Sequence, residues 1–279
     1  MNVEKPIALD SGKSGRDHYE TTYSDALEWQ AEWLHRGAGQ KADSVEQLLH
    51  RNRIKPGSVL ELGCGTGAVI GELQRRGLAQ RYYGIDYSAT AIAHLKTAFP
   101  NIQSAVADVM ETANVFDKDS FDVVICSHII EHLENPLSFL QAIGRRFQFD
   151  YLVAEVPLED LFFGRVKALV KDRSKNPAGH VQFFTRRSLL ALFTATQNTI
   201  VDERVYAPCF DMEALQFAYG EKSLLRYLGK VLTEHYLPKH TSRLWTRWYH
   251  AHYTVLCQKQ VGRTSAIQGI RRSTLRRVF

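Results

Sequence analysis

Ser58-Val59-Leu60-Glu61-Leu62-Gly63-Cys64-Gly65-Thr66-Gly67 decides the fold. A short apolar run leads straight into three glycines spaced two apart. Glycine tolerates positive φ and leaves room for a ligand to approach the backbone. The turn therefore aims the N-terminus of the next helix at whatever binds there. Gly63, Gly65 and Ala68 also satisfy the loose dinucleotide pattern G-x-G-x-x-G/A, so spacing alone does not name the ligand. Glu61 stands two residues before the first glycine. An anion there suits a ligand whose loop-facing end is positive better than a bare pyrophosphate. The same carboxylate could also simply brace the loop.

Outward from this turn, strand and helix patterns alternate. Strands are read at 58–62, 81–85, 103–107, 121–126, 151–156, 199–206 and 252–258. Helices fit 67–77, 88–98, 135–147, 186–196 and part of 158–172. Alternation of this kind predicts an α/β, doubly wound, mostly parallel sheet covered on both faces. Residues 18–36 read as an aromatic helix and 44–52 as a second one, with Ser44 and Gln47 forming a capping box. Pro56-Gly57 separates them from the first strand. Asp10-Ser11-Gly12-Lys13-Ser14 lacks both the first glycine and the preceding strand of a phosphate loop.

Two further strand ends supply carboxylates. Asp86 falls about 20 residues beyond the glycine turn, where an acidic side chain can accept from both hydroxyls of a ribose. Asp108 ends the third strand, and Val109 and Met110 beside it can pack on a base.

The ordered set resembles the class I S-adenosylmethionine (SAM) methyltransferases, whose first motif E/D-x-G-x-G-x-G is met by Glu61 through Gly67 without departure. The fourth strand and its exit, Phe121 to Leu133 with Glu131-His132-Leu133, resemble the small-molecule, ubiquinone/menaquinone-methyltransferase-like branch. The resemblance covers about residues 55–200. It implies a Rossmann-like sheet of seven strands, SAM as cofactor, and cofactor contacts from Glu61, Gly63, Cys64, Gly65, Gly67, Asp86, Tyr87, Asp108, Val109 and Ser127. The resulting division is an N-terminal helical lid (1–54), a SAM-binding core (55–206), an inserted helical cap (207–250), a last core strand (251–261) and a flexible basic tail (262–279).

Methyl transfer to a hydroxyl benefits from a base. The candidates are His128, His132 and His180, with Glu131 beside them. His128 and His132 lie four apart and would share a side if that stretch were helical. Such a pair can suggest a metal, but spacing supplies no third ligand, so no metal site is expected. His180 sits in Gly179-His180-Val181-Gln182-Phe183-Phe184-Thr185, similar to a run in many relatives. It could act as base or tie its loop to Glu155 or Glu159. The exit Cys126-Ser127-His128-Ile129 lacks the Asn/Asp-Pro-Pro-Tyr/Phe element of adenine amino-methylases. Cys126 follows isoleucine, not the proline of cytosine C5 methylases, and reads as a buried strand cysteine.

The 279 residues are 44% hydrophobic with net charge +5. No run is long and apolar enough to span a bilayer, no apolar signal core begins the chain, and the four cysteines form no C-x-x-C pair, so a reducing cytoplasmic location is expected. Beyond Glu234 there is no acidic residue, while Lys239, Arg243, Arg247, Lys259, Arg263, Arg271, Arg272, Arg276 and Arg277 follow. This basic end suggests contact with something anionic. The Leu224, Leu225, Leu228, Val231 and Leu232 stripe of a helix over 221–237 reads as core packing, as does burial of Trp245 and Trp248. The acceptor expected is a small-molecule, glycan or lipid-linked hydroxyl, with peripheral membrane contact through the basic aromatic region. The alternatives are an RNA methyltransferase and a non-catalytic SAM-binding protein that docks on membranes.

Overall fold

In the computed structural model, β1 (Ser58–Leu62) is buried along its whole length. It lies between two parallel neighbours, β2 (Arg81–Asp86) and β4 (Ser120–Ser127). That explains why Val59, Leu60 and Leu62 are all apolar rather than alternating. The structure describes residues 15–110, 115–117, 120–169, 172, 178–196, 198–220 and 223–259. Among these, β3 (Gln103–Val106), β5 (Gln148–Leu158), β6 (Asn198–Tyr206) and β7 (Ala251–Lys259) complete one sheet of order β3-β2-β1-β4-β5-β7-β6. All pairs are parallel except those of β7 with β5 and β6. The sheet is therefore the seven-stranded, mostly parallel one expected. Its order reverses between β1 and β4, where a crevice opens beyond the strand ends.

Helices α2 (Ala68–Arg75), α3 (Ala89–Ala98), α4 (Pro136–Arg146) and α6 (Arg186–Ala195) cover the faces. Their starts follow local capping chemistry. Ser88 accepts from the Ala91 N–H, Asn135 accepts from Ser138 with Pro136 in the first turn, and Thr185 and Ser188 form a capping box. Two apolar clusters fill the layers, one on each face of the sheet.

Three expectations are corrected. The two N-terminal helices are one helical run, α1 (Gly15–Arg51), kinked at Ala26. Ser44 lies inside it and donates to the Gln40 carbonyl at 3.2 Å, so it is not a cap. Buried Ala38 and Ala42 let the run continue through Gly37 and Gly39 while it packs on α2. Arg76, beside α2, pins the two together through Glu72, Asp43, Glu46 and the Gly39 carbonyl. The helix expected to end at 237 also continues. α8 (Leu224–Val231) passes through one wider turn, Leu232–Tyr236, into α9 (Leu237–Trp248). Finally, the leucine stripe of α8 is not core: Leu224 and Leu225 are 69% and 84% exposed, Leu228 and Leu232 are half exposed, and only Val231 is buried. Trp248 is exposed as well.

The helix read within 158–172 is the short α5 (Phe162–Ala168). α7 (Met212–Tyr219) joins α1 through stacked rings, Trp29 on Phe217 at 5.5 Å and Trp33 on Phe210 just before it at 5.0 Å. The basic tail, 262–279, lies outside the described residues.

Candidate active site

Gly63, Gly65 and Gly67 all have positive φ, which only glycine adopts without strain. The turn is held by its own backbone: Gly63 and Cys64 N–H both donate to the Ile85 carbonyl, at 2.8 and 3.1 Å. A Cβ on Gly63 would meet Ile129 Cδ1 at 2.6 Å, and one on Gly65 would meet the Tyr23 hydroxyl at 2.5 Å. The cradle is thus sized to bare backbone, with Tyr23 of α1 roofing it. Cys64 is buried, its thiol turned to the sheet against Gly84, so it offers the crevice only its backbone.

Asp86 is buried and accepts from Gly65 N–H on one oxygen (2.8 Å) and Ser88 N–H on the other (2.9 Å). Each carboxylate oxygen can accept twice, so the side chain can shape the loop and still receive ribose hydroxyls. Tyr87 is half-buried next to it. Asp108 accepts from the Met110 N–H at 2.8 Å, which turns the chain after β3 and buries Val109. Ser127 ends β4 with its hydroxyl buried and unpartnered, an orphan polar atom facing the same strand tips.

Glu61 is not a standing anion. Its Oε2 accepts from the Ile70 N–H at 3.0 Å, bracing α2. Burial raises its pKa to about 8 against that bond and the nearby Lys41 ammonium. Lys41, from α1, is lowered by burial, countered by Glu155, Glu131 and Glu61. Sequence reasoning missed Lys41, whose helix meets the strand tips only in three dimensions.

The three histidines separate into two groups. His128 has a φ of +54° and is followed by a single tight turn, Ile130–His132, so it and His132 do not share a face as helical spacing would require. His128 Nε2 lies 3.2 Å from Glu155 Oε1 and its Nδ1 lies 3.1 Å from Glu131 Oε1. Both ring nitrogens therefore face buried carboxylates, which disfavours the base role expected of this residue. Glu155 also accepts from the Tyr206 hydroxyl (2.8 Å) and the Thr254 hydroxyl (2.6 Å), with His252 Nδ1 at 3.3 Å. Burial would raise its pKa, but His128 and His252 hold it well below the usual carboxylate range. Tyr206, His252 and Thr254 were also missed. They reach Glu155 only through the antiparallel β5–β7 and β6–β7 registers.

His132 Nδ1 lies 3.1 Å from the Gly179 carbonyl, and His180 Nδ1 lies 2.6 Å from Glu159 Oε2. The two rings meet edge to face at 4.8 Å. Burial lowers His132 to about 4. It would lower His180 too, but Glu159 and Glu131 outweigh it and raise that group. Val181 and Gln182 N–H both donate to the Glu131 carbonyl at 2.9 Å, stapling the His180 loop to the turn after β4.

These shifts fix a pH dependence. His132, His250 and His252 are depressed by burial, to about 4, 4 and 3. The unfolded chain binds their protons below about 6.5 and the fold does not, so their neutrality destabilises the fold as pH falls. Glu61 and Asp86, both raised by burial, act in the opposite sense. Three histidines outweigh two carboxylates between pH 6.5 and 4.5. The melting temperature is expected to fall on acidification through that window. A flat or rising calorimetric profile would contradict the balance.

The residues match the "methyltransferase domain" family over 33–203. A ubiquinone biosynthesis O-methyltransferase of Glaesserella parasuis is 31% identical over 102 residues, 34% of this chain and 42% of that protein. The chain thus spans less than half the length of that curated relative. Among solved structures, magnesium protoporphyrin IX methyltransferase from Synechocystis PCC 6803 with bound S-adenosylhomocysteine aligns at TM-score 0.53 and 15% identity, covering 88% of this chain and 94% of that one. The [4+2]-cyclase SpnF aligns at TM-score 0.54 and 15% identity, covering 78% and 81%. At such identities the structures speak for the fold alone, and the cyclase shows why fold does not fix chemistry. The glycine cradle, the carboxylates at the tips of β2 and β3, and a family match across most of the sheet agree: the chain belongs to the methyltransferase domain family, the class I enzymes whose cofactor is S-adenosylmethionine.

Proposed function

We propose that the protein transfers a methyl group from SAM to an oxygen of a small-molecule, glycan or lipid-linked acceptor. When bound, SAM supplies a methyl on a sulfonium that departs as a neutral thioether. Gly63, Gly65 and Gly67 offer backbone to the cofactor, and Asp86 and Asp108 receive its ribose and adenine. The helix α1 acts as a lid through Tyr23, and residues 207–250 as the cap over the acceptor.

The observation that carries an oxygen acceptor is the Glu159–His180 pair, set edge to face against His132. A carboxylate holding Nδ1–H fixes the imidazole's tautomer with the lone pair on the other nitrogen, an arrangement suited to favouring the alkoxide or phenolate form of a bound hydroxyl. The Glaesserella relative, an O-methyltransferase, supports the same class. Labelled SAM incubated with fractionated extract should label a hydroxylated metabolite at oxygen. Label found only on nitrogen or carbon would reject the oxygen assignment. His180→Ala is expected to lower turnover about 10²–10⁴-fold, the usual worth of acid–base assistance, with SAM affinity changed less than threefold. Turnover unaffected on the true acceptor would make His180 purely structural.

One observation favours a lipid-linked acceptor over a freely diffusing one. α5 and α9 meet through Phe162 on Trp248 at 5.5 Å and Phe163 beside Tyr249 at 6.3 Å. Beside them Phe162, Phe163, Val166, Leu169 and Leu244 are exposed, flanked by exposed Arg165, Arg243 and Arg247. Apolar surface rimmed by cations suits an anionic bilayer interface. No described helix is long and apolar enough to cross a membrane, so contact would be peripheral. Co-sedimentation with vesicles containing phosphatidylglycerol, lost on Phe163→Asp/Leu244→Asp substitution, tests it. Equal binding by that double variant would exclude the patch. An RNA acceptor finds no comparable support in the described residues.

A further inference from the structure

A cavity of about 500 Å³ lies between the middle of α1, the start of α2, the second half of α3 and Phe217 of α7. That volume is ordinary for a small-molecule site. Gly63, Gly65, Asp86 and Asp108 do not line it, so it is not the cofactor crevice. The two sites meet only at the glycine turn, where Thr66 stands between Gly65 and Gly67. Glu28, Ala31, Glu32 and His35 face the cavity from α1, at spacings that put them on one side of a helix. Its apolar walls are fixed in advance. Phe217 stacks on Trp29 at 5.5 Å, and Phe99 sits so closely on Gly71 that an added Cβ there would meet its ring at 2.4 Å. Ala31, Ala68 and Ala98 leave the space between them open.

The polar groups of the lining fall into two kinds. On the α2 side, Thr66 is 3% exposed and its hydroxyl has no hydrogen-bond partner among the described residues. Gly67 caps α2 without a side chain, and the first turn holds no acidic residue. The Ile70 N–H donates to Glu61 and the Gly71 N–H to the Gly67 carbonyl, but those of Ala68 and Val69 find no acceptor among the described residues. A helix start with free N–H groups and a buried, idle hydroxyl receives an anion. On the α1 side stand two carboxylates. Arg36 holds Glu32 at 2.7 Å, which leaves lone pairs on that group. Glu28 has no nearer cation than His94 Nδ1, at 3.9 Å. A purely cationic ligand would leave Thr66 and the start of α2 unmet, and a purely anionic one would face Glu28. We propose that the cavity binds a small α-amino-acid zwitterion with an apolar side chain, separately from the cofactor. Its carboxylate lies on the Thr66 hydroxyl and the Ala68 N–H, its ammonium on Glu28 and Glu32, and its side chain between Phe99 and Phe217. The site stands whatever the methyl acceptor is.

The test is isothermal titration of L-phenylalanine into the full chain already saturated with S-adenosylhomocysteine. One equivalent is expected to bind. Phenethylamine and phenylpropionate, each lacking one of the two charges, should bind about tenfold more weakly or worse. Thr66→Val keeps the side-chain shape, removes the hydroxyl and should cost about tenfold in phenylalanine affinity. Ala98→Trp, at an exposed position of α3, fills the cavity and should abolish phenylalanine binding while S-adenosylhomocysteine still binds within about threefold of the parent. Circular dichroism of both variants separates unfolding from a lost site, and the two analogues test the unaltered chain. No heat at millimolar phenylalanine, an analogue that binds as tightly as phenylalanine, or unchanged affinity in a folded Ala98→Trp overturns the site. Phenylalanine that binds only in the absence of S-adenosylhomocysteine, and is displaced by it, also overturns it by making the cavity part of the cofactor crevice.

Discussion

Gly65→Val is expected to lose SAM binding by at least 100-fold in isothermal titration. Gly65 holds φ at +52°, a region costing an L-residue about 1–2 kcal/mol and a β-branched one more. The new side chain would also begin 2.5 Å from the Tyr23 hydroxyl, so either α1 lifts or the turn deforms. Deformation breaks the Gly65 N–H bond to Asp86, and with it the alignment of the carboxylate meant for the ribose. Together these exceed roughly 2.7 kcal/mol, the equivalent of 100-fold. Unfolding is the competing explanation, and a melting temperature within a few degrees of the parent would set it aside. A folded variant that binds SAM within threefold of the parent contradicts the assignment of this turn.

Glu155→Ala is expected to be the most destabilising single change in the site. Four groups converge on this one carboxylate: His128, Tyr206, His252 and Thr254. Alanine removes the acceptor and leaves them buried around a void. Breaking a buried ionic network from one side typically costs about 3–5 kcal/mol, which for a chain of this size lowers the melting temperature by roughly 10 °C. The loss should show in urea unfolding as a shifted midpoint with an unchanged slope. A midpoint equal to the parent's would mean that Glu155 is not the charge holding β5, β6 and β7 together at their tips.

The chemistry at the tips of β1, β2 and β3 was legible because it is local. Positive-φ glycines, a carboxylate after a strand and a serine cap are dictated by neighbours in sequence, and Gly65, Asp86 and Ser88 do meet within a few ångströms. The parallel sheet was legible for a similar reason, since each strand announces its own burial. The histidines were legible as candidates but not as partners. Whether His128 turns to His132 or to Glu155 depends on one positive φ and on β7, more than a hundred residues away. Lys41 and Tyr23 look like ordinary residues of an amphipathic helix until α1 is laid across the strand ends. The cap leucines misled because helical periodicity reports an apolar face but not what covers it. On α8 that face is turned to solvent.

The most direct measurement is a crystal structure with S-adenosylhomocysteine. The account predicts the nucleoside lying beneath Tyr23, its backbone contacts at Gly63 and Gly65, its ribose on Asp86, its base beside Asp108 and Val109, and its sulfur turned toward His180. A ligand bound elsewhere, or a crevice left empty by crystals soaked well above the dissociation constant, would contradict it.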